Sequence, residues 1–250
     1  MNELKQALKK VLPQYMIDFY RRRNWQENKF KGLSAQQIFT QIYNEGAWGS
    51  PSDQERRFSS GSGSRDEAVV TAYVEAVRPI LASFDRKPDV VDLGCGDFSV
   101  GSKLRSLCNR YIACDIVAPL IEENRARFAE SDVEFRVLDA SVDELPPGDV
   151  VFIRQVLQHL SNRQIKDCLA NISGRYRFLI LTDHLPISDA FRPNLDKPTG
   201  PGTRLSLNSG VEITRPPFNF EVRSQKRLCD IRALCGVYDG IIRTTSYEFV

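Results

Sequence analysis

A pair of glycines set between two acids is the feature of this chain with the clearest chemical meaning. A short β-branched run leads into it, and the glycines stand one residue apart. Glycine lets the backbone turn sharply and approach a ligand closely, so such a turn after a strand predicts a site for a nucleotide-like cofactor. The residues are Asp92, Leu93, Gly94, Cys95, Gly96 and Asp97.

The residues after the second glycine narrow the choice of cofactor. A dinucleotide fold carries G-x-G-x-x-G, whereas the third glycine position here holds Ser99. Asp97 would repel a pyrophosphate, which disfavours a nicotinamide oxidoreductase. A carboxylate suits a cofactor that has a cationic centre and an amino group, and S-adenosylmethionine has both.

Residues 92–97 closely resemble the first motif of class I S-adenosylmethionine-dependent methyltransferases, and the resemblance spans about residues 66–250. It implies S-adenosylmethionine as the cofactor. It also implies an α/β fold, a Rossmann-like doubly wound seven-stranded mixed sheet with helices on both faces. The last two strands of that sheet form an antiparallel hairpin in the family.

The rest of the chain shows the alternation of strands and helices that is typical of this fold. Apolar runs that end in polar residues alternate with helix-length segments, which predicts a parallel sheet covered by helices. Further strands are predicted at 110–115, 133–139, 149–154 and 177–183, closing strands at 227–231 and 240–249, and helices at 66–83, 119–130 and 163–173. A helix is also expected after the glycine turn.

The carboxyl ends of parallel strands share one edge, so their polar residues should line one crevice. Asp115 follows Gly96 at about the 20-residue spacing that places a carboxylate on a ribose hydroxyl. The resemblance assigns Asp115 to the ribose, Ile116 to the adenine face, and the end of the third strand to the adenine. The residues predicted at this edge are Asp97, Asp115, Ile116, Asp139, Ala140, Arg154, Gln155 and Asp183.

The chain has two histidines, His159 and His184, and both follow predicted strand ends. Ser161 and Gln164 form a capping box that holds His159 near a helix start, where the helix dipole should keep the imidazole neutral. Such an imidazole can take a proton from an attacking hydroxyl. His184 is a second candidate, alone or paired with His159. No spacing of ligand residues predicts a metal site.

Residues 1–65 are predicted to form an N-terminal helical cap or lid, and residues 66–250 the cofactor-binding domain. The basic segment 1–31 has helical apolar spacing, so we expect a docked helix; Arg21–Arg23 are its only hint of nucleic-acid contact. The aromatic stretch near Trp48 and the run Gly61–Ser64 resemble the segment that precedes the core in a bacterial small-molecule subgroup of the family. Arg65 is predicted to pair with the carboxylate of the cofactor.

Length, charge and cysteine content indicate the cellular compartment that we expect for the protein. The chain has 250 residues, a net charge of +2 and six cysteines without a C-x-x-C pair. We expect a cytoplasmic protein with reduced thiols, because neither a signal peptide nor a membrane-length apolar run is evident. The sequence leaves the oligomeric state open.

The long segment 186–217 leaves from the ligand edge and should wall the substrate site. Its arginines Arg192, Arg204 and Arg215 are candidates to meet an anionic group of the substrate.

The favoured function is methylation of an oxygen on a small polar metabolite or sugar, with His159 as the base. Methylation of a nitrogen in RNA or peptide is an alternative, although residues 154–157 lack the motif usual for base methylation. A catalytically silent module that keeps the cofactor fold is another. Intact Asp92, Gly94, Gly96 and Asp115 argue against it.

Overall fold

The computed structural model describes residues 29–49, 57–188 and 190–249. Seven strands form one sheet, and four α-helices lie along the described chain. The strands are β1 Val90–Leu93, β2 Tyr111–Asp115, β3 Glu134–Val137, β4 Val150–Arg154, β5 Phe178–Pro186, β6 Ser224–Cys235 and β7 Tyr238–Glu248. The helices are α1 Ala35–Asn44, α2 Glu67–Ala82, α3 Ala118–Arg127 and α4 Asn162–Ile172.

The strands are ordered β3-β2-β1-β4-β5-β7-β6. Strands β1 to β5 are parallel, and β7 runs antiparallel to β5 and β6. The predicted seven-stranded mixed sheet with a closing hairpin is therefore confirmed. The chain order reverses between β1 and β4, and ligands of open α/β sheets bind outside the strand ends at such a switch point.

Side chains along each strand point alternately to the two faces of the sheet, and both faces are buried. On one face Val90, Phe152 and Ile180 pack with α2 in one apolar cluster. Residues of the opposite parity, such as Val91 and Ile153, are also buried. Both faces are therefore covered, which explains why β1, β2 and β4 read as continuous apolar runs.

The segment after the glycine turn differs from the expected helix. It forms two 3₁₀ turns, Gly101–Lys103 and Arg105–Leu107. Phe98 has a positive φ of 57°, and serine and glycine in this segment favour a helix weakly. Helix α2, which precedes β1, begins within one residue of its predicted start. Its N-cap is Asp66, whose carboxylate accepts from the amides of residues 68 and 69.

The chain divides into two compact units, residues 1–34 and 35–250. The second unit contains α1 and the whole sheet. The boundary predicted at residues 65 and 66 stays a prediction, and the amphipathic helix expected near the N-terminus lies outside the described residues. Within the described ranges, the helices are all too short or too polar to cross a membrane.

Candidate functional site

A cavity of about 650 Å³ opens at the carboxyl ends of β1, β2 and β4. Its walls also include α1, the segment near Trp48, residues 201–203 and the tip of the β6–β7 hairpin. Most of the predicted site residues meet on its wall. They are Asp92, Gly94, Cys95, Gly96, Asp97, Asp115, Ile116, Asp139, Ala140, Arg154, Gln155, His159 and His184.

The glycine turn forms the floor of the cavity. Gly94 has a φ of 77°, and the amides of Gly94 and Cys95 donate to the carbonyl of Cys114 at 2.8 and 2.9 Å. A Cβ at Gly94 would collide with Val156. The buried Asn124 donates to the carbonyl of Gly96 at 2.7 Å. These hydrogen bonds hold the turn in place, and the turn lines the cavity.

Asp97 lies buried beside this turn. Its Oδ1 accepts from the amide and hydroxyl of Ser99, at 3.1 and 2.6 Å, and its own amide donates to the hydroxyl of Ser60 at 2.8 Å. Within the described chain its Oδ2 has no hydrogen-bond partner. An orphaned carboxylate oxygen on a cavity wall fits an ammonium group, as the sequence predicts.

Asp115 is the last residue of β2, and both of its carboxylate oxygens accept hydrogen bonds from backbone amides. Oδ2 accepts from the amide of Gly96 at 3.1 Å, and Oδ1 accepts from the amide of Val117 at 3.0 Å. Burial raises the pKa of this carboxyl to about 6, while the backbone hydrogen bonds act in the opposite direction. Each oxygen keeps a second lone pair, which suits paired hydroxyls of a ribose.

Asp92 is buried at the end of β1 and accepts from the hydroxyl of Tyr111 at 2.9 Å. Burial raises the pKa of this carboxyl to about 7, and the Tyr111 hydrogen bond and the Arg154 charge lower it. Asp92 therefore anchors the base of the cavity as well as lining it.

The ends of β2 and β3 form the side where the resemblance places an adenine. Asp139 Oδ1 accepts from the amide and hydroxyl of Ser141, at 2.9 and 2.6 Å, so its side chain stabilises its own turn. The carbonyl of Ala140 accepts from Asn171 at 3.0 Å, and that of Ile116 from Gln36 at 3.2 Å. Backbone and side-chain contacts thus hold this side in place.

Arg154 binds protein groups in the cavity wall. Its guanidinium donates to the Gly63 carbonyl at 2.6 Å and to the Ser64 hydroxyl at 3.1 Å, and it lies 5.1 Å from the centroid of the Tyr73 ring. The Gln155 side chain packs so closely on Gly63 that a Cβ there would collide with it. Arg154 and Gln155 therefore fix the segment 61–64 over the cavity.

Arg65 is not among the residues that line the cavity. It is exposed, its Nε lies 3.4 Å from the Gly61 carbonyl, and its guanidinium lies beside Gly49. The role expected for Arg65 as partner of the cofactor carboxylate stays a prediction.

His159 lies in a 3₁₀ turn after β4, followed by the predicted capping box. Its ring packs against Trp48 at 4.9 Å, and its Nε2 lies 3.2 Å from the side-chain amide of Gln158. Burial lowers the pKa of the imidazole to about 3, and Lys197, which donates to the His159 carbonyl, lowers it further. The ring is neutral as expected, but burial rather than a helix dipole is the main cause.

His184, in β5, is buried and reaches the cavity. Its Nε2 lies 3.1 Å from the carbonyl of Ala233 in β6, and burial lowers the pKa of this imidazole as well. The neighbouring Asp183 was expected in the crevice. It is buried but does not line the cavity, because successive residues of a strand point to opposite faces.

Arg204 is a structural residue rather than an anion-binding one. It is completely buried and donates to the carbonyls of Leu195, Leu157, Gln158 and Leu160 and to the side chain of Asn162. It joins the segment 187–217 to the turn that carries His159. Arg192 and Arg215 are exposed and do not line the cavity.

Trp48 covers part of the cavity. Its indole donates to the carbonyl of Pro201 at 3.1 Å, and its ring contacts both Tyr43 and His159. The N-terminal aromatic segment and the C-terminal loop therefore meet above the site.

Several site residues carried no sequence signal of their own. Ser60 holds the amide of Asp97, Asn124 holds the Gly96 carbonyl, and Gln158 lies between the two histidines. Apart from His159, which is adjacent to Gln158, their partners lie 26 to 37 positions away in the sequence, so no local pattern identifies these contacts.

Comparison with known proteins matches residues 90–177 to the family model described as a methyltransferase domain. Among solved structures, the chain is similar to magnesium protoporphyrin IX methyltransferase from Synechocystis PCC 6803 with bound SAM, with a TM-score of 0.52 and 16% identity. That match covers 87% of this chain and 99% of the other.

The chain is also similar to the N-methyltransferase NodS from Bradyrhizobium japonicum WM9 in complex with S-adenosyl-L-homocysteine. The TM-score is 0.53 and the identity 12%, over 73% of this chain and 88% of the other. The DhpI–SAH complex matches with a TM-score of 0.52 and 16% identity, over 86% and 95%. At these identities the likeness concerns the fold. No curated protein matches the chain significantly.

Proposed function

This chain belongs to the class I S-adenosylmethionine-dependent methyltransferase superfamily, and we propose that it methylates an oxygen of a small polar metabolite or sugar. The observation that carries the proposal is that two neutral imidazoles share a cavity with the glycine turn. A neutral imidazole suits removal of a hydroxyl proton.

S-adenosylmethionine is the cofactor of this domain. The residues present fit it, because the glycine turn lines the cavity and Asp97 offers an unsatisfied oxygen to an amino group. Asp115 would hold the ribose hydroxyls. When bound, the cofactor supplies a methyl group, which forms a bond to the acceptor oxygen as the methyl–sulfur bond breaks and its electron pair stays on sulfur.

The shape of the site supports a small acceptor. Trp48 and Pro201 close over the cavity, and a volume of about 650 Å³ lies in the range of small-molecule sites. A base within RNA or a residue within a peptide would have to enter beneath this contact.

The chain itself contributes position and a proton acceptor. The buried wall excludes water and aligns the acceptor, which can supply a large part of the rate gain. An imidazole of the wall, His159 or His184, takes the proton that the acceptor oxygen loses. General-base catalysis contributes roughly 10²- to 10⁴-fold.

Calorimetric titration with S-adenosylmethionine, S-adenosylhomocysteine and NADH tests the cofactor site first. We expect micromolar binding of the first two and none of NADH. Transfer of a radiolabelled methyl group is then measured on separate panels of sugars and hydroxylated metabolites, amines, short peptides and tRNA. Labelling of the hydroxylated panel supports the proposal. Labelling confined to amines, peptides or tRNA contradicts it, and cofactor binding with no transfer to any panel favours a silent module.

A further inference from the structure

The carboxamide of Gln158 lies between the two histidines of the cavity. Gln158 is 5% exposed. Its Oε1 lies 3.2 Å from the backbone nitrogen of His184, and its Nε2 lies 3.2 Å from Nε2 of His159. A backbone amide can only donate, so the carboxamide oxygen must face His184 and its NH₂ group must face His159.

This orientation fixes the tautomer of His159. An NH₂ group donates and does not accept, so Nε2 of His159 must carry the lone pair and Nδ1 must carry the proton. The lone pair of His159 is thereby already engaged by Gln158. Nδ1 of His159 is buried and has no hydrogen-bond partner among the described residues, so its proton is assigned from the contact between Gln158 and Nε2 alone.

His184 has the opposite arrangement. Its Nε2 lies 3.1 Å from the Ala233 carbonyl, which can only accept, so the proton of His184 is on Nε2 and its lone pair is on Nδ1. Gly240 packs against the Nε2 edge of this ring so closely that a Cβ there would approach Nε2 to 2.8 Å. The ring is therefore held by its protonated edge, and Nδ1 is the nitrogen left for a ligand.

We propose that Gln158 is a positioning residue that occupies the lone pair of His159 and thereby leaves Nδ1 of His184 as the catalytic base. The proton of the acceptor hydroxyl passes to Nδ1 of His184, while the proton on Nε2 stays there and is donated to the Ala233 carbonyl. His159 forms part of the cavity wall, and its ring packs against that of Trp48 with the ring planes tilted by 45°. This assignment rests on the proposed oxygen methylation and names the base within it.

Nitrogen-15 NMR tests the tautomers without any substrate. The chain has two histidines, so long-range proton–nitrogen correlation of the tag-free protein at neutral pH shows two imidazoles, assigned with His159→Asn and His184→Asn. We expect His159 protonated on Nδ1 and His184 protonated on Nε2. A His159 ring protonated on Nε2, or a His184 ring protonated on Nδ1, overturns the proposal.

Gln158→Glu tests the positioning role. The spectra are recorded at alkaline pH, where the glutamate is ionised. One glutamate oxygen can then still accept from the His184 amide, but the other can no longer donate, so His159 must gain a proton on Nε2. We expect that change at His159, with His184 still protonated on Nε2. Gln225→Glu, on the exposed edge strand β6, controls for the added charge. An unchanged His159 spectrum in a folded Gln158→Glu protein contradicts the proposal, and the wild-type spectrum remains decisive if that variant does not fold.

The base is then identified on the first acceptor that the hydroxylated panel yields. We expect His184→Asn to lower kcat by about 10²-fold or more, and His159→Asn to lower it by less than about tenfold. Calorimetry should show unchanged S-adenosylmethionine affinity in both. The reverse ranking overturns this assignment while oxygen methylation stands. If no hydroxylated acceptor is labelled, the proposed function fails and the base assignment fails with it.

Discussion

Burial controls the ionisation of the acids at this sheet edge. Asp92 and Asp115 lie near the carboxyl ends of the neighbouring strands β1 and β2, and Asp183 lies within β5. Burial raises the pKa of each carboxyl. Hydrogen bonds to Asp92 and Asp115 and the positive charge of nearby arginines act in the opposite direction. The acids therefore cost folding free energy at neutral pH, which is typical of residues kept for a site.

The folding free energy that such a buried carboxyl costs can be tested at Asp183. Its Oδ1 accepts from the His184 amide at 2.9 Å, and its Oδ2 has no partner within the described residues. Burial raises the pKa of this carboxyl from 3.8 to about 7. A raised pKa means that the protonated carboxyl is compatible with folding at low pH and that stability is lost as pH rises from about 4 through 7.

Asp183→Asn keeps the acceptor oxygen and does not titrate. We expect its free energy of unfolding to rise relative to wild type between about pH 4 and pH 7, by at most about 4 kcal/mol, and the difference to stay constant above. Urea denaturation across this range measures it. A difference that does not vary with pH would show that Asp183 ionises normally.

Asp115→Asn should weaken binding of S-adenosylmethionine. An amide can serve only one of the two backbone amides that Asp115 now holds, and it lacks the charge that strengthens a bond to ribose hydroxyls. A loss of about 1.5–3 kcal/mol corresponds to roughly 10- to 150-fold in Kd. Calorimetry measures the change, with the helical surface variant Asp167→Asn as control. Equal affinity in wild type and Asp115→Asn would remove the ribose assignment.

At the scale of the elements, the turn after β1 combines two restrictions. Gly94 and Gly174 both have positive φ, at 77° and 71°. A Cβ at Gly94 would meet Val156, whereas nothing lies within 4 Å of one at Gly174. The two positions therefore separate backbone strain from the close approach of a neighbouring element.

Gly174→Ala should cost about 1–2 kcal/mol, the penalty for a left-handed backbone. Gly94→Ala should cost more and should also abolish measurable S-adenosylmethionine binding, because Val156 or the turn must move. Chemical denaturation and calorimetry of both variants check this. If both variants lost the same stability and Gly94→Ala still bound the cofactor, a steric clash between position 94 and Val156 would be excluded.

Arg204 has a structural role in the fold that differs from the role its sequence position suggests. In the sequence it stands in a loop at the ligand edge, where an arginine suggests an anionic substrate. In the fold its guanidinium satisfies carbonyls of two loops, which makes it the link between residues 187–217 and the His159 turn. Backbone carbonyls brought together by folding are not visible in a sequence pattern.

At the scale of the whole molecule, the described site lies within the unit 35–250. The cavity-lining residues of the described chain begin at Ala35. We therefore expect deletion of residues 1–31 to leave S-adenosylmethionine affinity within about twofold of wild type, which is less than 0.5 kcal/mol. Calorimetry of the truncated protein checks this. A large loss of affinity in a folded truncated protein would assign those residues to the site.

The sequence by itself determined the succession of strands along the chain, the glycine turn and the acids of β1 and β2. These features follow from local rules: alternating elements predict a parallel sheet, and parallel strands bring their carboxyl ends to one edge. The same rules place His159, His184 and Asp139 near the ligand edge of the sheet.

Tertiary structure decided which atoms of those residues can act. Arg65 is exposed, Arg154 binds the segment 61–64, and Gln158 joins two histidines from different elements. Hydrogen-bond partners distant in sequence fix side-chain orientation, tautomer and burial. These depend on packing in three dimensions, and no spacing along the chain encodes them.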